Sequence, residues 1–145
     1  MKKIIAVLCA VAFVVVAADA SAQEPKPYKE GQVVALSYIK IKPGKFDDYM
    51  AFLDTTYKQL MEANKKAGLI TGYAVYQATA RNANDPDIIL ATTYANMAAL
   101  DRIDEGEAVA AKVMGSNAAQ NKGFIDRGVM REVLGGDLIR ELVLK

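Results

Sequence analysis

The chain contains no histidine and no tryptophan, and its single cysteine is Cys9. Without histidine there is no imidazole for acid–base chemistry or for binding zinc or haem iron. Cys9 lies in an apolar N-terminal run, so the rest of the chain has no thiolate nucleophile, disulfide or cysteine metal ligand. These absences disfavour zinc sites, histidine-ligated haem and serine-hydrolase triads. We therefore predict no metal and no cofactor.

The charged residues show no excess of either sign. The chain carries 18 lysines and arginines against 17 aspartates and glutamates, and removal of residues 1–22 would leave equal numbers. A nearly neutral protein has no field that attracts nucleic acid or an anionic membrane surface. The composition therefore predicts no nucleic-acid partner.

Residues 1–22 have the pattern of a secretory signal peptide. Lys2 and Lys3 precede an apolar run over residues 4–18, and Ala20-Ser21-Ala22 has the small side chains after which signal peptidase cuts. The apolar run is shorter than the roughly 20 residues of a membrane-spanning helix. We therefore expect cleavage before Gln23, export to the periplasm or the extracellular space, and no stable membrane anchor after cleavage.

The remaining chain is predicted to form one domain over residues 33–145, preceded by a flexible lead-in over residues 23–32. Residues 33–42 are rich in β-branched and aromatic side chains, which indicates a first strand. Over residues 45–67 apolar residues recur at helical spacing, which predicts an amphipathic helix. The stripe on this helix consists of Phe46, Tyr49, Met50, Leu53, Tyr57, Leu60, Met61 and Asn64.

A second strand–helix pattern follows. Residues 69–79 and 87–95 are predicted to form a hairpin, residues 97–134 to form two or three helical pieces divided by glycines, and residues 137–145 to form a last strand. This β-α-β-β-α-β order is that of the ferredoxin-like fold, an α+β architecture with a four-stranded antiparallel sheet. The second helical crossover is enlarged and broken.

A ferredoxin-like sheet carries its helices on one face and leaves the other face open. We expect this open face to carry Leu36 and Tyr38, with partners such as Leu90 or Leu142 from other strands. Because a large exposed apolar patch is unusual on a soluble monomer, we expect a homodimer in which two sheets face each other.

Three segments carry a resemblance to a known group of proteins. They are I-K-I-K-P-G-K-F-D-D-Y-M-A-F-L at residues 39–53, G-Y-A-V-Y at 72–76 and I-I-L-A-T-T-Y at 88–94. The chain resembles the dimeric α/β-barrel superfamily, which includes antibiotic-biosynthesis-type monooxygenases. The resemblance implies a homodimeric α/β barrel with a cavity between sheet and helices. Haem-degrading members use a histidine and quinone-forming members a tryptophan, so neither activity can be transferred to this chain.

The tyrosines are the most suggestive candidates for a binding site. Tyr38, Tyr73, Tyr76 and Tyr94 lie on predicted strands, and phenols lining an apolar pocket can orient an aromatic ligand. Tyr73 and Tyr76 are three positions apart, so on a regular strand they point to opposite faces. Only one of them can share a face with Tyr38. Arg81 lies in the predicted hairpin loop and could present its guanidinium at a cavity mouth. The alternative is that these are core, interface and turn residues.

No spacing of residues identifies a catalytic group, and whether the chain is an enzyme stays open. The first hypothesis is a dimer that binds a small apolar or aromatic molecule. The second is a cofactor-independent monooxygenase or isomerase acting on an aromatic or quinone-like substrate, with Tyr38 and Tyr73 or Tyr76 orienting it. The third is a protein-interaction module that uses the enlarged segment 97–134 as a docking surface.

Overall fold

The computed structural model of the protein describes residues 25–145. Four strands and six helical segments follow one another in that range. In chain order they are β1 (Tyr28–Ile41), α1 (Phe46–Phe52), a π-helical turn (Leu53–Tyr57), α2 (Lys58–Lys66), β2 (Gly72–Gln77), β3 (Ile88–Tyr94), a 3-10 helix (Met97–Asp101), α3 (Ile103–Met114), α4 (Asn117–Arg127) and β4 (Arg131–Leu144).

The strands form one antiparallel sheet in the order β2-β3-β1-β4. This order places the first and third strands in the centre, as the β-α-β-β-α-β sequence of elements requires. The predicted α+β ferredoxin-like fold is therefore confirmed. No helix within residues 25–145 has the length and apolarity needed to cross a membrane.

The core lies between the sheet and the first helical crossover. Ile39 and Ile88 are neighbours on β1 and β3, and they pack against Tyr49 and Leu53. All four side chains are nearly inaccessible to solvent. Since side chains alternate along a strand, odd-numbered residues of β1 face the helices and even-numbered residues face the open side.

The first crossover is a continuous helical segment with a π turn in its middle, as the apolar stripe predicted for residues 45–67. Asp47 and Asp48 lie in its first turn, and Lys65 and Lys66 in its last, which suits the helix dipole. Gly68 follows with φ +68°, a conformation that favours glycine. The helix therefore ends where the glycine allows the chain to turn.

The second crossover consists of three helical pieces, within the predicted two or three. Asn96 caps the first piece, because its side chain accepts a hydrogen bond from the Ala99 N–H at 3.2 Å. Ser116 caps α4 in the same way through Ala119, at 3.3 Å. Between α3 and α4, Gly115 has φ +84°.

The first and last strands both begin earlier in the chain than predicted. β1 begins at Tyr28, so residues 28–32, which were expected to belong to the flexible lead-in, are in the sheet and pair with β4. β4 begins at Arg131, so Gly135 and Gly136 lie inside a strand and do not end the helical segment. Both differences have one cause: β1 and β4 pair along most of their length, and local composition does not show this pairing.

Two residues expected on the open face lie elsewhere. Leu90 pairs with Ser37 of β1 and packs against the core on the helix side. Leu138 pairs with Ala35, an odd-numbered residue of β1 that faces the helices. Leu142 is four positions further along β4, so it also lies on the helix side. The open face instead carries Ile89 and Ile139.

Candidate ligand-binding site

Two small cavities lie along the face of the first helical crossover that meets the sheet. One has a volume of about 180 Å³ and is lined by Met50, Leu53, Asp54, Tyr57, Lys58, Tyr73 and Val75. The other has a volume of about 230 Å³, and its lining includes Met61, Asn64, Leu69, Ile70, Thr92 and Tyr94. Tyr57 and Met61 are one helical turn apart, so the two cavities are neighbours. Each is smaller than a typical ligand pocket of about 300 Å³ or more, so each suits a small molecule.

Tyr57 ends the π turn and has an unpartnered hydroxyl. Its oxygen is inaccessible to solvent and has no hydrogen-bond partner among the described residues. The hydroxyl of Thr92 lies nearby and donates to the sulfur of Met61 at 3.9 Å. Burial raises the pKa of Tyr57 to about 12, an effect that Thr92 partly offsets. The phenol is therefore neutral at physiological pH and has a donor to offer.

The other two tyrosines on this side of the sheet differ from Tyr57. The Tyr73 hydroxyl donates to Glu62 Oε1 at 2.8 Å, and that hydrogen bond, followed by burial, raises the pKa of Tyr73. Burial alone raises the pKa of Tyr94, which lines the larger cavity. The Tyr57 and Tyr73 rings meet edge to face, with centroids 6.1 Å apart. The structure therefore brings Tyr73 and Tyr94 together around Tyr57.

Tyr38 and Tyr76 lie on the opposite, open face. Both pair with Ile89 across the sheet, Tyr38 from β1 and Tyr76 from β2. The Tyr38 hydroxyl donates to Asp137 Oδ2 at 2.8 Å, and this hydrogen bond raises the pKa of Tyr38. Tyr76 is 56% exposed. Tyr76, and not Tyr73, therefore shares a face with Tyr38.

Arg81 is in the loop between β2 and β3, apart from both tyrosine groups. The backbone N–H groups of Arg81 and Asn82 donate to Asp85 Oδ2 at 2.8 and 2.9 Å. These two bonds lower the pKa of Asp85. The Arg81 residue itself is exposed, and the polar residues of this loop close a turn around Asp85.

Tyr57 and Asn64 belong to the predicted helix stripe, and neither was assigned to a site. A usable signal was present, because two tyrosines and an asparagine occur in a stripe that is otherwise apolar. The Asn64 side chain donates to the Leu60 carbonyl at 2.9 Å. Tyr57 is distinguished by a hydroxyl that is buried without a partner among the described residues.

Acidic residues do not converge on these cavities in a way that suits a metal ion. Within residues 25–145 no group of three or more aspartate, glutamate, histidine or cysteine side chains is placed to hold one. The polar groups that line the cavities are phenols, an amide and a hydroxyl, together with one carboxylate, one lysine and one arginine, those of Asp54, Lys58 and Arg102.

Comparisons with known proteins identify the fold. No protein-family model matches the chain, and no curated protein matches it. Protein SO0527 from Shewanella oneidensis has a TM-score of 0.51 and 17% identity over 80% of this chain and 98% of its own. HapK from Hahella chejuensis has a TM-score of 0.49 and 11% identity over 75% of this chain and 91% of its own. At these identities the likeness to SO0527 extends to the ferredoxin-like fold and no further.

Proposed function

We propose that the protein is a homodimer of the dimeric α/β-barrel type that binds a small apolar or aromatic molecule between its sheet and its helices. The observation that carries this proposal is the Tyr57 hydroxyl, buried beside the smaller cavity without a hydrogen-bond partner among the described residues. A buried polar group without a hydrogen bond is costly. A ligand with a hydrogen-bond acceptor would remove this cost.

The neighbouring side chains restrict the chemistry of such a ligand. The smaller cavity is lined mainly by apolar and aromatic side chains, among them Leu53, Tyr73 and Val75. Because the raised pKa of Tyr57 keeps its phenol protonated, this group acts as a donor. A flat molecule with a carbonyl or quinone oxygen matches both features.

A second copy of the chain is proposed to cover the open face. Tyr76 and Ile139, at opposite edges of that face, are 56% and 49% exposed. Between them lie Leu36, Tyr38 and Ile89, which continue an apolar surface across the sheet. Burying this surface against an identical one would remove an exposed patch of the kind that monomers avoid.

Export remains a proposal that rests on residues 1–22, which lie outside the described residues. The observation that supports it is the order of a basic pair, an apolar run and Ala20-Ser21-Ala22. N-terminal sequencing of protein recovered from the export compartment tests it. We expect the mature chain to begin at Gln23, and a mature chain that retains Met1 would contradict it.

Binding can be tested with uncharged bicyclic probes, 1,4-naphthoquinone and 2-naphthol, by isothermal titration calorimetry. The wild type should bind naphthoquinone in one site per chain. Loss of one buried hydrogen bond in Tyr57→Phe should weaken binding about fivefold or more. Tyr76→Phe, which removes the same atom from the open face, should leave binding unchanged. Equal affinity in all three proteins, or no binding to the wild type, would contradict the proposal.

An enzymatic function on the same site is the second candidate. The Tyr73 hydroxyl donates to the Glu62 carboxylate at 2.8 Å, and Tyr73 lines the smaller cavity. Such a pair could relay a proton from a phenolic substrate. A cofactor-independent monooxygenase or isomerase would use this arrangement. Oxygen uptake with a panel of phenols and hydroquinones, lost in Glu62→Gln, would support turnover. Binding without uptake would favour a binding protein.

A further inference from the structure

Two arginines converge where α4 ends and β4 begins. Arg127 is the last residue of α4, and its Cζ lies 4.9 Å from the ring centroid of Phe52 and 6.0 Å from that of Phe124. Arg131 is the first residue of β4, with Cζ 5.6 Å from the Phe124 centroid and 5.8 Å from that of Tyr49. Both cations therefore lie against the ring of Phe124.

Neither guanidinium has an acidic partner among residues 25–145. The ion pairs formed by those residues include neither Arg127 nor Arg131. Of the two carboxylates adjacent in sequence, that of Asp126 is held by Lys122 at 2.6 Å, and that of Glu132 points to the opposite face of β4 from Arg131. Arg131 Nε is inaccessible to solvent and has no hydrogen-bond partner in this part of the chain. Burial, and then repulsion by Arg131, lower the pKa of Arg127.

The helix dipole explains only part of this arrangement. A cation at the end of a helix is stabilised by the carbonyl groups there, and this accounts for Arg127. It does not provide an acceptor for the buried Nε of Arg131. Two adjacent cations without a counter-charge are unfavourable in a partly buried place, so the arrangement favours an anion.

A cavity next to Arg127 has room for such an anion with a ring attached. It has a volume of about 410 Å³ and lies between the first crossover and the helices α3 and α4. Its lining is mixed, with apolar, amide and hydroxyl groups, and includes one carboxylate, that of Asp126. The lining residues are Phe52, Thr56, Val113, Met114, Ala119, Gln120, Gly123, Asp126 and Arg127.

Gly123 shapes the space in which the Arg127 side chain lies. A Cβ at position 123 would lie 3.2 Å from Arg127 Nη1, closer than nearly all such contacts in proteins. Glycine inside a helix costs about 0.5–1 kcal/mol relative to alanine. This cost in α4 makes room for the guanidinium.

We propose that this cavity binds a planar aromatic carboxylate, whose carboxylate group is held by Arg127 beside the positive charge of Arg131 and whose ring lies against Phe52. The forked guanidinium matches the two oxygens of a carboxylate, and aromatic rings favour a flat partner. The site does not use Tyr57, so it is independent of the function proposed above.

Titration calorimetry with benzoate and salicylate tests the site in the full protein. We expect saturable binding of one anion per chain that weakens as salt is added. Arg127→Gln and Arg131→Gln should each weaken binding about tenfold or more, whereas Arg81→Gln, at an exposed loop arginine, should leave it unchanged. Absence of wild-type binding at millimolar benzoate and salicylate would overturn the proposal. Equal binding of inorganic phosphate would overturn the aromatic class.

A second pair of variants separates binding from folding. Gly123→Ala should weaken benzoate binding by crowding Arg127, while its unfolding midpoint stays at or above that of the wild type because alanine favours the helix. Gly106→Ala in α3 is the control, since a Cβ there meets nothing within 4 Å. It should leave benzoate binding unchanged. Unchanged binding in Gly123→Ala would contradict the placement of the anion beside Arg127.

Discussion

The rings of Tyr57 and Tyr73 meet edge to face, 6.1 Å between centroids, yet their hydroxyl groups have different environments. Tyr73 donates to Glu62 at 2.8 Å, and Tyr57 has no partner among the described residues. The contact joins the π turn of the first crossover to the edge strand β2. π turns occur often at functional sites, and this one places the free donor at the cavity.

The first prediction concerns the stability of Tyr57→Phe. Removing an unsatisfied buried hydroxyl removes its desolvation cost. We expect the ligand-free variant to be about 1 kcal/mol more stable than the wild type, measured by urea unfolding. If the variant is less stable, the hydroxyl has a partner in solution, and the main argument for the ligand is lost.

The second prediction concerns alkaline pH. Burial raises the pKa of Tyr57 to about 12 in the folded protein, above its ordinary value of 10.0. Between these values the unfolded chain releases a proton that the folded chain retains, so folding stability falls as pH rises. Tyr49 and Tyr94, whose pKa values burial also raises, contribute in the same direction.

The comparison between wild type and Tyr57→Phe isolates the contribution of Tyr57. Urea unfolding at several pH values between 9 and about 12 should show a steeper loss of stability in the wild type. Parallel curves for the two proteins would mean that the Tyr57 phenol ionises as easily in the folded chain as in the unfolded one.

The third prediction concerns assembly through the open face. Ile139→Glu places a charge on that face and should convert the proposed dimer into a monomer, because a buried unpaired carboxylate is costly. Ile125→Glu is the matched control, at a site on α4 that is 72% exposed, and it should remain dimeric. Sedimentation equilibrium gives the masses, and a wild-type monomer at micromolar concentration would exclude the assembly.

The fourth prediction concerns the contact between β1 and β4. A Cβ at position 136 would collide with the carbonyl oxygen of Leu36, so Gly136→Ala should lower the free energy of unfolding by about 1–3 kcal/mol. Gly72→Ala is the control, because a Cβ there meets nothing within 4 Å. A small effect at both positions would show that the two strands separate easily.

Local patterns predicted the elements whose signals are local. The apolar stripe over residues 45–67 and the glycines within residues 97–134 act over a few residues, and both patterns predicted the helical pieces correctly. The last strand was predicted to begin only at residue 137, because a glycine pair such as Gly135-Gly136 usually marks a loop. Here Gly136 lies in the strand and close to Leu36, which is distant in the sequence.

The candidate site was less accessible to sequence reasoning. Four strand tyrosines were chosen together, but strand register divides them, with Tyr38 and Tyr76 on one face and Tyr73 and Tyr94 on the other. Tyr57 was treated as part of a packing stripe, since spacing alone does not show whether a hydroxyl finds a partner. Burial and hydrogen bonding, which depend on the whole fold, make that distinction.

The central claim is that the chain dimerises through its open face and that each copy binds a small molecule near Tyr57. Native mass spectrometry of the protein, purified without added ligand, tests it most directly. The account predicts a dimer that carries a reproducible small adduct, with the adduct lost in Tyr57→Phe and kept in Tyr76→Phe. A monomer without adduct, which then fails to bind naphthoquinone, would contradict it.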